Sequence, residues 1–341
     1  MKNKVLLLGG AGFIGLNIAK FLAERGDVEI VIADNFFRSG GAKDEDLERL
    51  EKNHGVKVIA GDFTNPAAFD QLEKNYRYVY MLASVVGVDY VNTIPHEIIR
   101  INTALIYNTL EWIRHSSCGK VLFTSTSECY AGTIEAFGYR IPTPEEIPLC
   151  IQDIGHPRFT YAVTKMLGES GFLNYAKAVG FECTIVRYHN VFGPRMGFKH
   201  VIPHLVQRFR AKEDPFLIYG HDQTRSFNFI SDAVNGTVLA MEKGTSGEIF
   251  HIGDTDEISI EELTKFVGEL MDYKGFYENA PTYPGSVNRR CPDIQKAKRE
   301  LGYAPKTNWK DGIKQTIEWY VNYLDNHSEL HESFYDNEKR K

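Results

Sequence analysis

Gly9-Gly10-Ala11-Gly12-Phe13-Ile14-Gly15 is the stretch that decides the fold. It follows a short apolar run, Val5–Leu8, and opens an amphipathic pattern over Phe13–Arg25. Glycines at this spacing allow a tight turn, a close backbone approach to a ligand and close contact between helix and strand. The following helix offers unpaired N–H groups and the positive end of its dipole to whatever sits in the turn. Strand, glycine turn and helix in that order suit a pyrophosphate. The next apolar run, Ile30–Ala33, closes on Asp34, a carboxylate placed to hold the hydroxyls of an adenosine ribose. Asp34 would repel a 2′-phosphate, so NAD is expected rather than NADP, with Arg38 nearby as the opposing charge. The plainer alternative is a strand, turn and helix that hold no ligand.

Working outward, further apolar runs lie at Val56–Ala60, Tyr78–Ala83, Val121–Thr124 and Cys183–Tyr188, with a second amphipathic stretch at Ile98–His115. Near-continuous apolar strands alternating with helices predict a parallel sheet covered on both faces. The expected fold is therefore α/β, a Rossmann-type doubly wound parallel sheet with a smaller C-terminal α/β lobe for substrate. The cofactor domain is placed at 1–190. From about residue 190 glycine, proline and aromatic residues become more frequent, so 191–330 reads mainly as the lobe, with a return to the first domain near 227–238. Residues 331–341 read as a solvated tail.

The 341 residues carry a net charge of −6 and no lysine/arginine run, which argues against an extended nucleic-acid surface. Five scattered cysteines without a Cys-x-x-Cys pair read as reduced thiols in a cytoplasm rather than a disulfide framework or zinc site. No signal peptide or membrane-spanning apolar run is read.

Tyr161 and Lys165 are four residues apart in a helical pattern, so they stack on one face about 6 Å apart along the axis. An ammonium beside a phenol favours the phenolate, which makes a weak acid a usable base. The pair also occurs by chance on helix surfaces; it gains weight from the glycine turn.

Together these residues resemble the extended short-chain dehydrogenase/reductases that modify nucleotide sugars, over nearly the whole chain. Gly61-Asp62-Phe63 resembles the family's adenine-contacting step, with Asn35 beside Asp34. Leu82-Ala83-Ser84 resembles the strand end that passes the nicotinamide ribose, and Asn102 matches a structural asparagine. Phe123-Thr124-Ser125-Thr126-Ser127-Glu128-Cys129-Tyr130 resembles the catalytic segment. Arg187–Arg195, with Asn190 inside it, resembles the loop that enters the sugar site. Gln223-Thr224-Arg225-Ser226-Phe227 and Arg290-Cys291-Pro292-Asp293 resemble family elements, with Arg225 placed to bind a diphosphate. The resemblance implies NAD held by Gly9, Gly12, Phe13, Ile14, Gly15, Asp34, Asn35, Asp62, Phe63, Leu82, Ala83, Tyr161 and Lys165. It implies a UDP- or GDP-linked sugar bound by Ser127, Arg158, Asn190, Arg225 and Arg290. It also implies a homodimer built on two helices per subunit, one of them carrying Tyr161.

The implied chemistry starts at the sugar 4-hydroxyl. Tyr161 takes its proton, Thr126 orients the oxygen, and Lys165 holds the nicotinamide ribose while tightly bound NAD oxidises C4. A 4-keto sugar can then be epimerised, dehydrated or decarboxylated. Glu128, two residues after Thr126, is placed to act as acid or base at C5/C6, or simply to pair with an arginine. Thr126-Ser127-Glu128 followed by Pro157-Arg158-Phe159-Thr160-Tyr161 resembles glucuronate decarboxylases and GDP-mannose-type 4,6-dehydratases, and the C-terminal half is closer to the decarboxylases. A UDP-glucuronate decarboxylase-like enzyme is thus expected, with a 4-epimerase or GDP-sugar 4,6-dehydratase as alternatives. A non-catalytic dinucleotide-binding module is disfavoured because Thr126, Tyr161 and Lys165 are all present. Cys129, the extra residue in Tyr130-Ala131-Gly132 and the long stretch Thr133–Pro157 depart from the pattern. No metal site is expected: Pro203 disrupts His200/His204 as a clamp, and His327/His331 lack a third ligand.

Overall fold

A computed structural model describes residues 2–282 and 287–327, apart from the side chains of Val88 and Asp89. His331 and the tail read at 331–341 lie outside the described residues. The chain begins β1 (Asn3–Leu8), α1 (Phe13–Arg25), β2 (Val28–Asp34), α2 (Glu45–His54), β3 (Lys57–Ala60), β4 (Tyr78–Met81), α3 (Val88–Thr93), α4 (Pro95–Arg114) and β5 (Lys120–Thr126). It continues through α5 (Ala131–Phe137), α6 (Phe159–Tyr175), β6 (Glu182–Tyr188), β7 (Val191–Phe192), α7 (Val201–Arg210), β8 (Phe216–Tyr219), β9 (Thr224–Ser226) and β10 (Asn228–Phe229). The remainder is α8 (Ile230–Lys243), β11 (Ile249–Ile252), β12 (Glu257–Ser259), α9 (Ile260–Leu270), β13 (Tyr277–Ala280), β14 (Arg289–Arg290), α10 (Gln295–Leu301) and α11 (Trp309–Asn326).

Strand side chains alternate between faces, and here both faces are dry. In β1, Val5 and Leu7 join a core with Leu16 of α1 and Val234 and Val238 of α8. Leu6 and Leu8 point the other way, into a core with Leu105 and Leu110 of α4 and Phe172 of α6. The result is a seven-stranded sheet in the order β11-β6-β5-β4-β1-β2-β3. Every pairing in it is parallel. This is the expected α/β doubly wound class. The strand order reverses between β1 and β4, and in such sheets ligands bind outside the carboxyl ends of the strands at that point.

Six of the seven strands correspond to the apolar runs read from the sequence. The seventh, β11, pairs with β6 from Ile249↔Ile185 to Ile252↔Tyr188 and carries His251 at its centre. Four residues with a polar one among them leave too short a pattern to recognise. The intervening stretch near 227–238 is mostly α8, which covers one sheet face.

Three small sheets follow, β7 with β10, β9 with β12 and β14, and β8 with β13, and of these β7, β9 and β14 reach the cleft. β9 pairs with β12 and, in parallel, with β14, setting Arg290 beside Arg225. The unusual stretch after Tyr130 is knitted into this region. A Cβ on Gly132 would stand 2.4 Å from the Cys150 carbonyl oxygen, so only glycine fits there. Thr143 bridges Pro292, next to β14. Among the described residues no helix is long and apolar enough to cross a membrane.

Candidate active site

The glycine turn is shaped by contact. Gly9 has φ +82°, and a Cβ there would meet the Ala83 nitrogen at 2.5 Å. A Cβ on Gly15 would lie 2.6 Å from the Gly9 carbonyl oxygen, so the helix starts hard against the strand end. Gly12 caps α1 without a side-chain hydrogen bond, leaving the first N–H groups to face the cleft. Asp34 Oδ2 accepts from the Ala11 N–H at 2.9 Å and Oδ1 from the Phe36 N–H at 2.8 Å, which aims the carboxylate over the turn. Burial raises its pKa, against those backbone donors.

The third and fourth strand ends complete this half. Asp62 Oδ1 accepts from Thr64 N–H and Oγ1, and Asn35 Oδ1 from the Phe37 N–H, so both carboxyl-end loops are locally pinned. The Leu82 and Ala83 N–H groups donate to the Leu8 carbonyl. Asn102 brackets Val85 with two hydrogen bonds and donates to Thr164 Oγ1 at 3.2 Å, tying this loop to α6. Phe63 lines the cleft but turns its ring into the core, edge-on to Phe69. The cradle that any side chain on Gly9 or Gly15 would fill, the free helix start and the oriented Asp34 carboxylate all fit NAD. Phe13, Ile14 and Gly15 line the same cleft.

That cleft measures about 1640 Å³ and runs from Gly9 to Arg225 and Arg290. Single small-ligand pockets are typically ~300–1,000 Å³, so there is room for two large ligands side by side. Every residue in the expected cofactor, catalytic and substrate sets lines it. Thr126, Ser127 and Glu128 follow β5; Tyr161 and Lys165 come from α6; Arg158 precedes α6.

Lys165 is 3% exposed. Its Nζ donates to the Thr124 carbonyl at 2.9 Å and lies 4.9 Å from the Phe123 ring centroid and 5.6 Å from that of Tyr161. Burial pulls its pKa down to about 8. The Tyr161 phenol is pushed up, by burial first and then by Cys129 and Glu128. The expected phenolate is therefore not what the protein groups alone favour. Two residues on one helix face need not touch at their tips, and this ammonium is committed to Thr124.

Thr126 Oγ1 accepts from the Glu128 N–H at 3.3 Å, capping the turn Ser127–Tyr130. Glu128 Oε1 accepts from Arg290 Nη1 at 2.7 Å, and Oε2 lies 3.5 Å from Arg158 Nη2. Burial works to raise the Glu128 pKa, but the two guanidiniums outweigh it and hold the carboxyl below its ordinary range. The arginine pairing considered for Glu128 thus exists, and it lies inside the cleft with the side chain still 28% exposed. Arg225 has no carboxylate within ion-pair distance among the described residues. It donates to Gln223 Oε1 at 3.1 Å and to the Thr224, Val287 and Asn288 carbonyls at 2.7, 2.5 and 3.2 Å. Burial and Arg290 lower its pKa to about 10. A half-buried guanidinium with no carboxylate in direct contact is suited to an anion. Asn190, at φ +38°, donates to the Ser226 carbonyl at 2.8 Å and joins the loop after β6 to β9.

Sequence reasoning missed the support behind these groups. Arg187 grips Glu169 through Nε at 2.8 Å and Nη2 at 2.7 Å, and Glu169 also accepts from Ser125 Oγ. This buried ion pair fixes α6 against β5 and β6. Its one signal was spacing, since Glu169 follows Lys165 by four residues on the same helix face. His200 caps α7 and His204 lies in its first turn with Pro203, both at the cleft edge. Among the described residues no three His, Cys, Asp or Glu side chains form a metal-binding group.

Residues 5–253 match the model of the NAD dependent epimerase/dehydratase family. The chain is 32% identical over 330 residues to UDP-N-acetyl-alpha-D-glucosaminuronate decarboxylase of Bacillus cytotoxicus, covering 94% of this chain and 98% of the relative. It is 30% identical over 329 residues to UDP-glucuronic acid decarboxylase 1 of Arabidopsis thaliana, covering 96% and 72%. The solved structure of UDP-glucose 4-epimerase from Thermotoga maritima with UDP-glucose superposes with a TM-score of 0.79 at 28% identity, over 94% and 99% of the chains. UDP-glucuronic acid 4-epimerase from Bacillus cereus, in complex with UDP-glucuronic acid and NAD, superposes at 0.81 with 24% identity over the same shares and shares the fold.

Proposed function

The chain belongs to the NAD-dependent epimerase/dehydratase family, and from that premise we propose that it decarboxylates a UDP-linked hexuronate by way of a C4 ketone. NAD is its cofactor. The observation that carries the proposal is Glu128 held between Arg290 and Arg158 beside Thr126 and Tyr161. Two guanidiniums at the C5/C6 side are what a sugar carboxylate needs for recognition. The UDP and hexuronate assignments rest on the names of the two decarboxylase relatives.

Tyr161 takes the proton of the 4-hydroxyl, and the Thr126 hydroxyl orients the same oxygen. NAD, when bound, supplies the hydride acceptor for C4 and a ring charge that favours the Tyr161 phenolate. Lys165 holds the nicotinamide ribose. With a ketone at C4, the C6 carboxylate is that of a β-keto acid. The C5–C6 bond breaks, carbon dioxide leaves, and the electron pair passes into the C4 carbonyl as an enolate. C5 then takes a proton and the hydride earlier taken from C4 would return to it, so the net reaction is not an oxidation. The substrate carboxylate beside Glu128 shares its two arginines and raises its pKa, which readies Glu128 to donate that proton.

Arg225 binds the diphosphate, and Ser127 and Asn190 contact the sugar. Residues 1–190, with the return through α8 and β11, serve the cofactor, and 191–330 mainly serve the substrate. We assign a homodimer through α4 and α6, because Ile99, Tyr107 and Leu167 on those helices are 47%, 58% and 47% exposed. Five unpaired cysteines suit a cytoplasmic setting. Turnover of UDP-glucuronate and UDP-N-acetylglucosaminuronate beside their neutral hexose counterparts tests the substrate class. Consumption of uronates alone is expected; consumption of neutral sugars alone would overturn it.

A further inference from the structure

Tyr130 ends the turn that carries Ser127 and Glu128, and it is 1% exposed. Its hydroxyl lies 2.8 Å from His189 Nε2. His189 follows β6 and immediately precedes Asn190, and it is fully buried. Its ring stands 4.7 Å from that of His251, at the centre of β11 and also fully buried. The Tyr130 ring is 5.5 Å from His251, and the Arg187 guanidinium is 5.9 Å from the Tyr130 ring.

This is an expensive arrangement. His189 Nδ1 makes no hydrogen bond among the described residues. Unpartnered buried polar atoms are few in folded proteins, and places that break a packing rule tend to coincide with function. An apolar ring at 189 would fill similar space without stranding a nitrogen. What it would not do is hold the Tyr130 hydroxyl. Burial, with His251, Arg290 and Arg187 close by, drives the His189 pKa far down, so the ring is neutral and one partner donates while the other accepts.

We propose that the Tyr130–His189 hydrogen bond is a brace that positions Glu128, joining the turn that carries it to the loop that carries Asn190. Through it the carboxylate at the C5/C6 side and the residue at the opposite sugar edge keep a fixed spacing. Both are positioning residues, since neither lines the cleft with the catalytic groups. The inference rests on the site assignment above, in which Glu128 acts on the sugar, and not on the choice of net reaction.

The test compares Tyr130→Phe, His189→Gln, the double variant Tyr130→Phe/His189→Phe and Glu128→Gln on whichever nucleotide sugar the wild-type enzyme consumes, with kcat, KM and melting temperature for each. Tyr130→Phe should lower kcat about tenfold with KM within about twofold, short of the ~hundredfold that a 1 Å misplacement can cost. His189→Gln, whose amide still pairs with the hydroxyl, should keep more of kcat. The double variant leaves no nitrogen stranded at 189, so its melting temperature should recover while its kcat stays low. Recovery of kcat together with melting temperature would reduce the pair to packing and overturn the brace, as would wild-type turnover by Tyr130→Phe. If Glu128→Gln itself turns over normally, the site assignment fails and the brace with it. If Glu128→Gln is impaired and the brace variants are not, only the brace fails.

Discussion

Arg290 Nη1 donates to Glu128 Oε1 at 2.7 Å although 162 residues separate the two in the chain. Glu128 stands at the end of a central strand of the large sheet, and Arg290 on a two-residue strand of the lobe. Their contact joins the strand ends of the large sheet to the far wall of the same cleft. In the proposed reaction, Arg290 would meet the sugar carboxylate while one hydrogen bond away from Glu128.

Glu128→Gln should therefore separate the two halves of the reaction. The amide keeps the shape but neither balances two guanidiniums nor moves a proton. Oxidation at C4 should survive, seen as nicotinamide absorbance appearing on addition of the UDP-hexuronate. Product formation should fall about hundredfold or more. Full product formation would rule out a role for Glu128 after C4 oxidation.

Lys165→Met should destroy activity and raise stability. The ammonium titrates near 10.5 when unfolded and near 8 in the fold, because burial disfavours its charge. Below pH 8 both states are charged and the burial cost is fully present, about 3 kcal/mol. It is relieved as pH rises from about 8 to 10.5. Denaturant unfolding should show the variant's advantage largest below pH 8 and shrinking above it. An advantage that grows with pH would contradict this account.

Asp34→Asn should relax cofactor choice. The carboxylate is aimed by the Ala11 and Phe36 N–H groups and repels a 2′-phosphate. Losing one or two charge-assisted hydrogen bonds to the ribose should weaken NAD about ten- to a hundredfold in equilibrium binding. NADP should be weakened less, or strengthened through Arg38. Unchanged discrimination would shift the selectivity elsewhere.

Much of this was legible in the sequence wherever function and local structure share a short stretch. The glycine turn, the carboxylate closing β2 and the Tyr161/Lys165 spacing each lie on one element and its edge. The central sheet strands announce themselves because burial on both faces leaves near-continuous apolar runs such as Val5–Leu8 and Tyr78–Met81. The rest depends on partners far apart in the chain. Nothing local tells that Arg290 will reach Glu128, that Arg187 will clamp Glu169, or that His189 and His251 will meet on neighbouring strands. The Tyr161 phenol shows the same limit, since helix spacing set it above Lys165 but the Thr124 carbonyl took the ammonium.

Leu167→Asp should disrupt the assembly assigned to α4 and α6. A charge at the centre of an apolar helix pair faces desolvation on association. Sedimentation should show the wild-type chain at twice the monomer mass and the variant at the monomer mass. A wild-type monomer would remove the assignment.

The central claim is tested most directly by the mass of the nucleotide sugar formed when the purified protein, loaded with NAD, is incubated with a UDP-hexuronate. The account predicts a UDP-pentose-type product lighter by one carbon dioxide, with no net change in the cofactor. A product of unchanged mass would mean epimerisation, and one lighter by water would mean dehydration; either would contradict it.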